Sequence, residues 1–408
     1  MTAASASLRS DIRVIGFVGV AHGLSHFYHL VIPPLFPLLR AEFGVSYAAL
    51  GSVLALYFGI SGVMQTVAGF LVDRFGARLI LLLGLALSAI GIGLAGLAPS
   101  FAWLYLAAAI AGFGNCVFHP ADLALLNAKV HQQRLGYAFS VHGIAGNIGW
   151  ALAPVFAVAI STAWGWRAAL VAAGAIGLVF LGVLASQSVL AGGTRAPRRP
   201  EGGSSGGLAH DIRILASLPI VTCFAFFLLF SMAMVGWQAF STTALTQIYD
   251  VQLVFASSVL TAFLLGGAGG TLAGGVIASR TERHGAVAVT GMAVSGAIAF
   301  ILGVGLVPVA LMIGVAAIGG FFAGVLGPSR DFLVRQIAPV ESRGKVYGFV
   351  YSGLDLGGLL APPALGWMVD RGSPQLVFVA TAVFWLLAMP TVLGMSRAAV
   401  AGRPVHAG

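Results

Sequence analysis

Residues 112–130 read GFGNCVFHPADLALLNAKV, and 208 positions later residues 320–338 read GFFAGVLGPSRDFLVRQIA. The two stretches align without a gap, with Gly112 on Gly320, Val117 on Val325 and Pro120 on Pro328. The same offset carries Gly136 onto Gly344, Asn147 onto Asp355, Gly149 onto Gly357 and Ala153–Pro154 onto Ala361–Pro362. Upstream, GFLVDR (69–74) has a counterpart in GVIASR (275–280). The chain is therefore written twice, and its two halves are expected to share one helical plan.

Composition says where those helices lie. Of 408 residues, 59% are hydrophobic and 8% are charged, and the mean hydropathy is +0.99. A soluble domain carries roughly 25% charged residues, so the chain cannot cover an aqueous surface and is expected to be an integral membrane protein. The net charge of +9 comes from short basic clusters between apolar runs. That is the pattern of cytoplasmic loops, and it argues against a nucleic-acid partner. Cys116 and Cys223 both fall inside apolar runs, so no disulfide framework is expected. The N-terminal MTAASASLRSDIR has no cleavable signal pattern.

A helix needs about 20 apolar residues to cross the bilayer. Charged, Pro and Gly punctuation divides the chain into twelve candidates, near 14–39, 47–72, 78–97, 101–126, 136–160, 165–188, 214–246, 252–278, 286–306, 308–334, 345–369 and 374–395. With both ends in the cytoplasm, inner segments hold seventeen Lys and Arg residues and outer segments hold Arg40, Arg167 and Arg371. The positive-inside bias thus supports an even number of spans. The Gly-, Pro-, Ser- and Arg-rich stretch within 190–212 reads as a flexible cytoplasmic linker. It separates a six-helix half at 1–189 from a second at 213–408. A parallel repeat of six plus six is the internal symmetry of secondary transporters whose halves rock about a central site.

The stretch GFLVDRFGARLILL (69–82) resembles the signature of the major facilitator superfamily between its second and third spans. By that resemblance Gly69, Asp73, Arg74, Gly76 and Arg78 take the signature positions. They are expected to form an inner gate, with Gly69 allowing close helix approach and Asp73 accepting hydrogen bonds across it. In the second half Ser279 replaces the acid. GFGNCVFHPADLA (112–124) and HGIAGNIGWALAP (142–154) resemble, more narrowly, the fosmidomycin-resistance-like branch, whose first span also carries a His before a Pro-rich end such as PPLFPLL (33–39). Two departures bear on the substrate. Asp122 stands where that branch has Glu or no acid, and His142 where a neutral polar residue is commoner.

Ionisable residues inside spans are costly and usually face a cavity or a partner. His22, His26 and His29 recur at helical spacing, so they share one face of span one. His22 and His26 are expected to line a central cavity, with His29 nearer the outer rim. His119 and Asp122 are three apart on span four. A carboxylate beside an imidazole fixes its tautomer, and the pair is expected to hold and release a proton while Pro120 kinks the helix. His142 and Asn147 on span five complete the substrate cavity. Gly143, Gly146 and Gly149 recur every three residues there and are expected to permit close packing. Asp355 is the proton-coupling candidate of the second half. Arg330 and Asp331 are expected to belong to a gate network.

No P-loop, zinc-finger spacing or Gly-x-Ser-x-Gly elbow occurs, so no cofactor, metal or enzymatic reaction is assigned. The expectation is a twelve-helix, all-α, proton-coupled exporter of a small polar or drug-like molecule, working by alternating access. It is placed as a monomer in a bacterial inner membrane, its partners being substrate, protons and lipid. The rivals are a proton symporter importing an organic anion held by Arg330, and a transition-metal or metal-chelate carrier using His22, His26, His119, Asp122 and His142. A non-transporting receptor and a lipid-modifying enzyme are the alternatives outside the class.

Overall fold

A computed structural model of the chain describes residues 3–191, 208–337 and 343–401. They divide into two compact units, Met1–Pro200 and Glu201–Gly408. The first comprises α1 (Ala3–Leu30), a 3-10 turn at Pro33–Leu35, α2 (Phe36–Phe43), α3 (Tyr47–Phe75), α4 (Ala77–Gly96), α5 (Phe101–Asn115), α6 (Phe118–Lys129) and α7 (Leu135–Ala185). The second comprises α8 (Leu208–Leu215), α9 (Leu218–Val235), a π-helical turn at Gly236–Phe240, α10 (Ser241–Tyr249), α11 (Leu253–Arg280), α12 (His284–Gly303), α13 (Met312–Ile337), α14 (Arg343–Asp370) and α15 (Gln375–Ala401).

Among the described residues, ten helical segments are long and apolar enough to cross a membrane. One of them, Gln132–Ala185, is 54 residues long and holds two passes, because Gly165 reverses the chain at φ 85° and ψ 160°. That left-handed region is open to glycine at little cost. With α14, the count of twelve spans is complete. The expected break between spans five and six thus collapses to one residue. The kink expected from Pro120 is the break at Cys116–Val117, between α5 and α6, since a proline ring collides with the carbonyl four residues before it. Pro120 sits in the first turn of α6, where a missing N–H leaves no intrahelical bond unmade. Most of the expected 190–212 linker lies outside the described residues. At its end, α8 is already helical from Leu208.

The two units repeat one packing plan. In the first, α1 packs on α7, α3 on α5, and α4 on both α5 and α7; in the second, α9 packs on α14, α11 on α13, and α12 on both α13 and α15. Lipid is as apolar as the side chains it would replace, so close backbone approach does much of the holding. Gly266, Gly270 and Gly274 of α11 lie on the carbonyls of Ala317, Phe321 and Val325 of α13, with no room for a Cβ. Gly320 and Gly324 of α13 lie likewise on the carbonyls of Phe263 and Gly267. Gly69 has no such role: a Cβ there would meet nothing within 4 Å. The close approach expected of it is not made.

Candidate functional site

The histidines of the first unit meet around one carboxylate. Asp122, on α6, is fully buried. Its Oδ2 lies 3.1 Å from His22 Nδ1 on α1 and 3.2 Å from His142 Nε2 on α7. The two imidazoles stack with centroids 3.5 Å apart, so both ring nitrogens reach the same oxygen. Asp122 Oδ1 is buried without a hydrogen-bond partner among the described residues. The pairing expected between His119 and Asp122 is not the one made. His119 is exposed, and its ring stands edge-on to His22 at 5.2 Å. Asp122 turns inward to partners from two other helices, which a spacing rule within one helix could not reveal.

The cluster continues along α1. His26 lies 4.4 Å from His22 between ring centroids and stacks on Trp150 of α7 at 4.3 Å. His26 Nδ1 is buried and unpartnered among the described residues. His29 is half-buried, and both its ring nitrogens are bonded. Trp150 Nε1 donates to His29 Nδ1 at 3.3 Å, and an indole N–H can only donate. His29 therefore carries its proton on Nε2 and donates to Asn115 Oδ1 at 2.9 Å. Asn115 in turn donates to Ser61 Oγ at 2.8 Å. This chain ties α1, α3, α5 and α7 together. Trp150, Asn115 and Ser61 were not singled out from sequence, although Trp150 shares a helix face with His142 and Gly146 at spacings of eight and four. Asn147 is half-buried on the same helix.

Glycine on α7 makes the cluster possible. A Cβ at Gly146 would stand 2.6 Å from His26 Nδ1 and 3.1 Å from His22 Nε2, and one at Gly149 would overlap the Gly23 carbonyl. At Gly143 it would meet nothing within 4 Å, so only two of the three glycines are needed. Gly146→Ala should displace both imidazoles, costing about 1–3 kcal/mol as overpacking does, and reduce transport. Gly143→Ala should do neither. Thermal melting and substrate flux of the two variants side by side check this; equal behaviour would show that the rings tolerate a methyl group.

The second unit carries a different set at the matching place. Arg330 occupies on α13 the repeat position of Asp122 on α6. Its Nε donates to Asp331 Oδ1 at 2.9 Å, and Tyr351 of α14 donates to the same oxygen at 3.1 Å. The guanidinium lies 4.8 Å from the Phe227 ring and 5.2 Å from the Phe230 ring on α9, distances at which cation–π attraction operates. Tyr351 and the two phenylalanines were not foreseen. Asp355, two turns into α14 from Tyr347, is half-buried. It makes no hydrogen bond or ion pair with the described residues. Of the gate signature, Asp73 and Arg74 are exposed, and Arg74 rests on the Phe75 ring at 5.3 Å. Gly76 joins α3 to α4 at φ 90°, and Arg78 Nη2 donates to the Ala185 carbonyl at 2.6 Å.

Two like helical units, each spanning the bilayer repeatedly and each holding polar groups within its spans, define a solute carrier. The sequence profile of the Major Facilitator Superfamily matches residues 17–305 and 223–405, and the chain belongs to that superfamily. It is similar to the fosmidomycin resistance protein of Escherichia coli (strain K12), at 26% identity over 96% of this chain and 94% of that protein. The likeness seen in spans four and five thus extends along the chain. Among solved structures, a bacterial homolog of the human lysosomal transporter Spinster aligns with TM-score 0.78 at 17% identity, over 98% of this chain and all of that one. The nucleoside transporter NupG aligns with TM-score 0.74 at 15% identity, over 95% and 99%. The chain is a multi-pass membrane transporter of a small molecule and not an enzyme.

Proposed function

We propose that this transporter is a proton-coupled exporter of a small polar or drug-like molecule. It acts by alternating access, as a monomer in the bacterial cytoplasmic membrane with both termini inside. The direction of transport is supported by the whole-length likeness to a resistance protein, and the orientation by the excess of basic residues in the inner segments. His22, His26, His119, His142 and Asn147 form the hydrogen-bonding wall offered to substrate, and Asp122 holds two of those rings in position.

The observation that carries the coupling is Asp355. A carboxylate inside a span needs a use or a partner, and this one has no partner among the described residues. It can take up and release a proton without first breaking an ion pair. Of the two acids expected to couple protons, Asp122 is already engaged by two imidazoles, so the coupling proton is assigned to Asp355. The rival in which Arg330 binds an organic anion for import is less favoured, because Asp331 already pairs with that guanidinium.

Reconstituted liposomes test this reading. Substrate addition should move protons against substrate, and Asp355→Asn should abolish accumulation driven by a pH gradient while leaving exchange at equal pH. Gradient-driven accumulation at the wild-type rate in the variant would remove Asp355 from the coupling.

A further inference from the structure

We infer that His22, His119 and His142, with Asp122 beside them, form a binding site for one divalent transition-metal ion of the zinc, cobalt or nickel class. One ring nitrogen from each of the three histidines lies within 4.8 Å of the other two. The ligands come from α1, α6 and α7, so no motif in the chain announces them. His22 Nδ1 and His142 Nε2 already converge on a single point, now taken by Asp122 Oδ2 at 3.1 and 3.2 Å. Imidazole nitrogens bind zinc at about 2.0–2.1 Å, so the rings must close in by roughly 1 Å each as the carboxylate swings aside.

That carboxylate is suited to be the fourth ligand. Its Oδ1 is buried and unpartnered among the described residues, leaving lone pairs available when Oδ2 gives up its two imidazoles. Three neutral imidazoles and one carboxylate make a tetrahedral set that borderline metals prefer and that magnesium and calcium, which seek oxygen, do not. An anionic ligand also offsets some of the ion's charge within a largely apolar unit. His119 supplies the way in. It is the exposed member of the three, whereas His22 and His142 are buried.

The inference concerns binding at equilibrium and stands apart from the direction and coupling of transport. The test is a titration of the full-length protein, purified in detergent through a tag without histidine, with Co2+ and then Zn2+. Wild type should bind one equivalent of Co2+, develop the visible d–d band of a tetrahedral site, and lose it on adding one equivalent of Zn2+. His119→Ala, chosen because an exposed ring is not needed for folding, should weaken Co2+ binding at least about tenfold, the lower range seen when a metal site loses a supporting group. Asp122→Asn should change the band. His131→Ala, at an exposed histidine outside the cluster, should bind as wild type does. An absent d–d band in wild type, or unchanged affinity in His119→Ala, would overturn the assignment. Weak binding lost equally in His131→Ala would mark surface histidines as the source and overturn it too.

Discussion

Asp122→Ala should stop transport and lower the thermal stability of the protein. The carboxylate is fully buried and is the acceptor for His22 Nδ1 and His142 Nε2 at once. Its removal strands two ring nitrogens away from water, and each buried polar group left unpaired costs about 1–3 kcal/mol. The stacked rings at 3.5 Å then have nothing to hold their orientation, so His26 and its contact with Trp150 loosen as well. Asp122→Asn separates shape from charge. It keeps the volume and one acceptor oxygen, so it should lose transport with a smaller drop in melting temperature. Melting in detergent and flux in liposomes measure the two effects. An alanine variant that melts and transports as wild type does would show that the cluster stands without its carboxylate.

The largest effect on stability is expected at Gly270. Its missing Cβ would overlap the Phe321 carbonyl across the α11–α13 contact, and Gly266, Gly274, Gly320 and Gly324 make the same kind of approach on either side. The obstacle is backbone, which cannot rotate out of the way as a side chain can. Gly270→Leu must therefore push α11 and α13 apart along several turns. Overpacking costs about 1–3 kcal/mol at a single well-packed position and more where the backbone must shift. The variant should accumulate poorly in membranes and melt far below wild type. Gly69→Ala is the matched control. A Cβ at Gly69 meets nothing within 4 Å, and alanine is the better helix former by roughly 1 kcal/mol, so its stability should hold or rise. Equal loss in both variants would show that the contact of α11 with α13 is not what makes Gly270 necessary.

Membrane class, twelve spans and a doubled architecture were readable in the chain alone, because the first two rest on local composition and the third on a repeat within the sequence. An apolar run of about 20 residues has few fates other than a bilayer, and an ungapped repeat such as 112–130 with 320–338 implies a repeated fold. The helical period also sufficed to put His22, His26 and His29 on one face. It did not say what they touch. Asp122 lies 100 residues from His22 and 20 from His142, and the helix it shares with His119 predicts a neighbour that it does not bond. Trp150 on His29, and Phe227 with Phe230 about Arg330, are likewise meetings between helices. Such contacts depend on how far each helix rotates and how closely it approaches its neighbour. In this protein glycine against carbonyl sets the approach, at Gly149 on Gly23 and along α11 on α13. Periodicity marks the face a helix turns inward; only the packed helices decide which side chain waits on the other side.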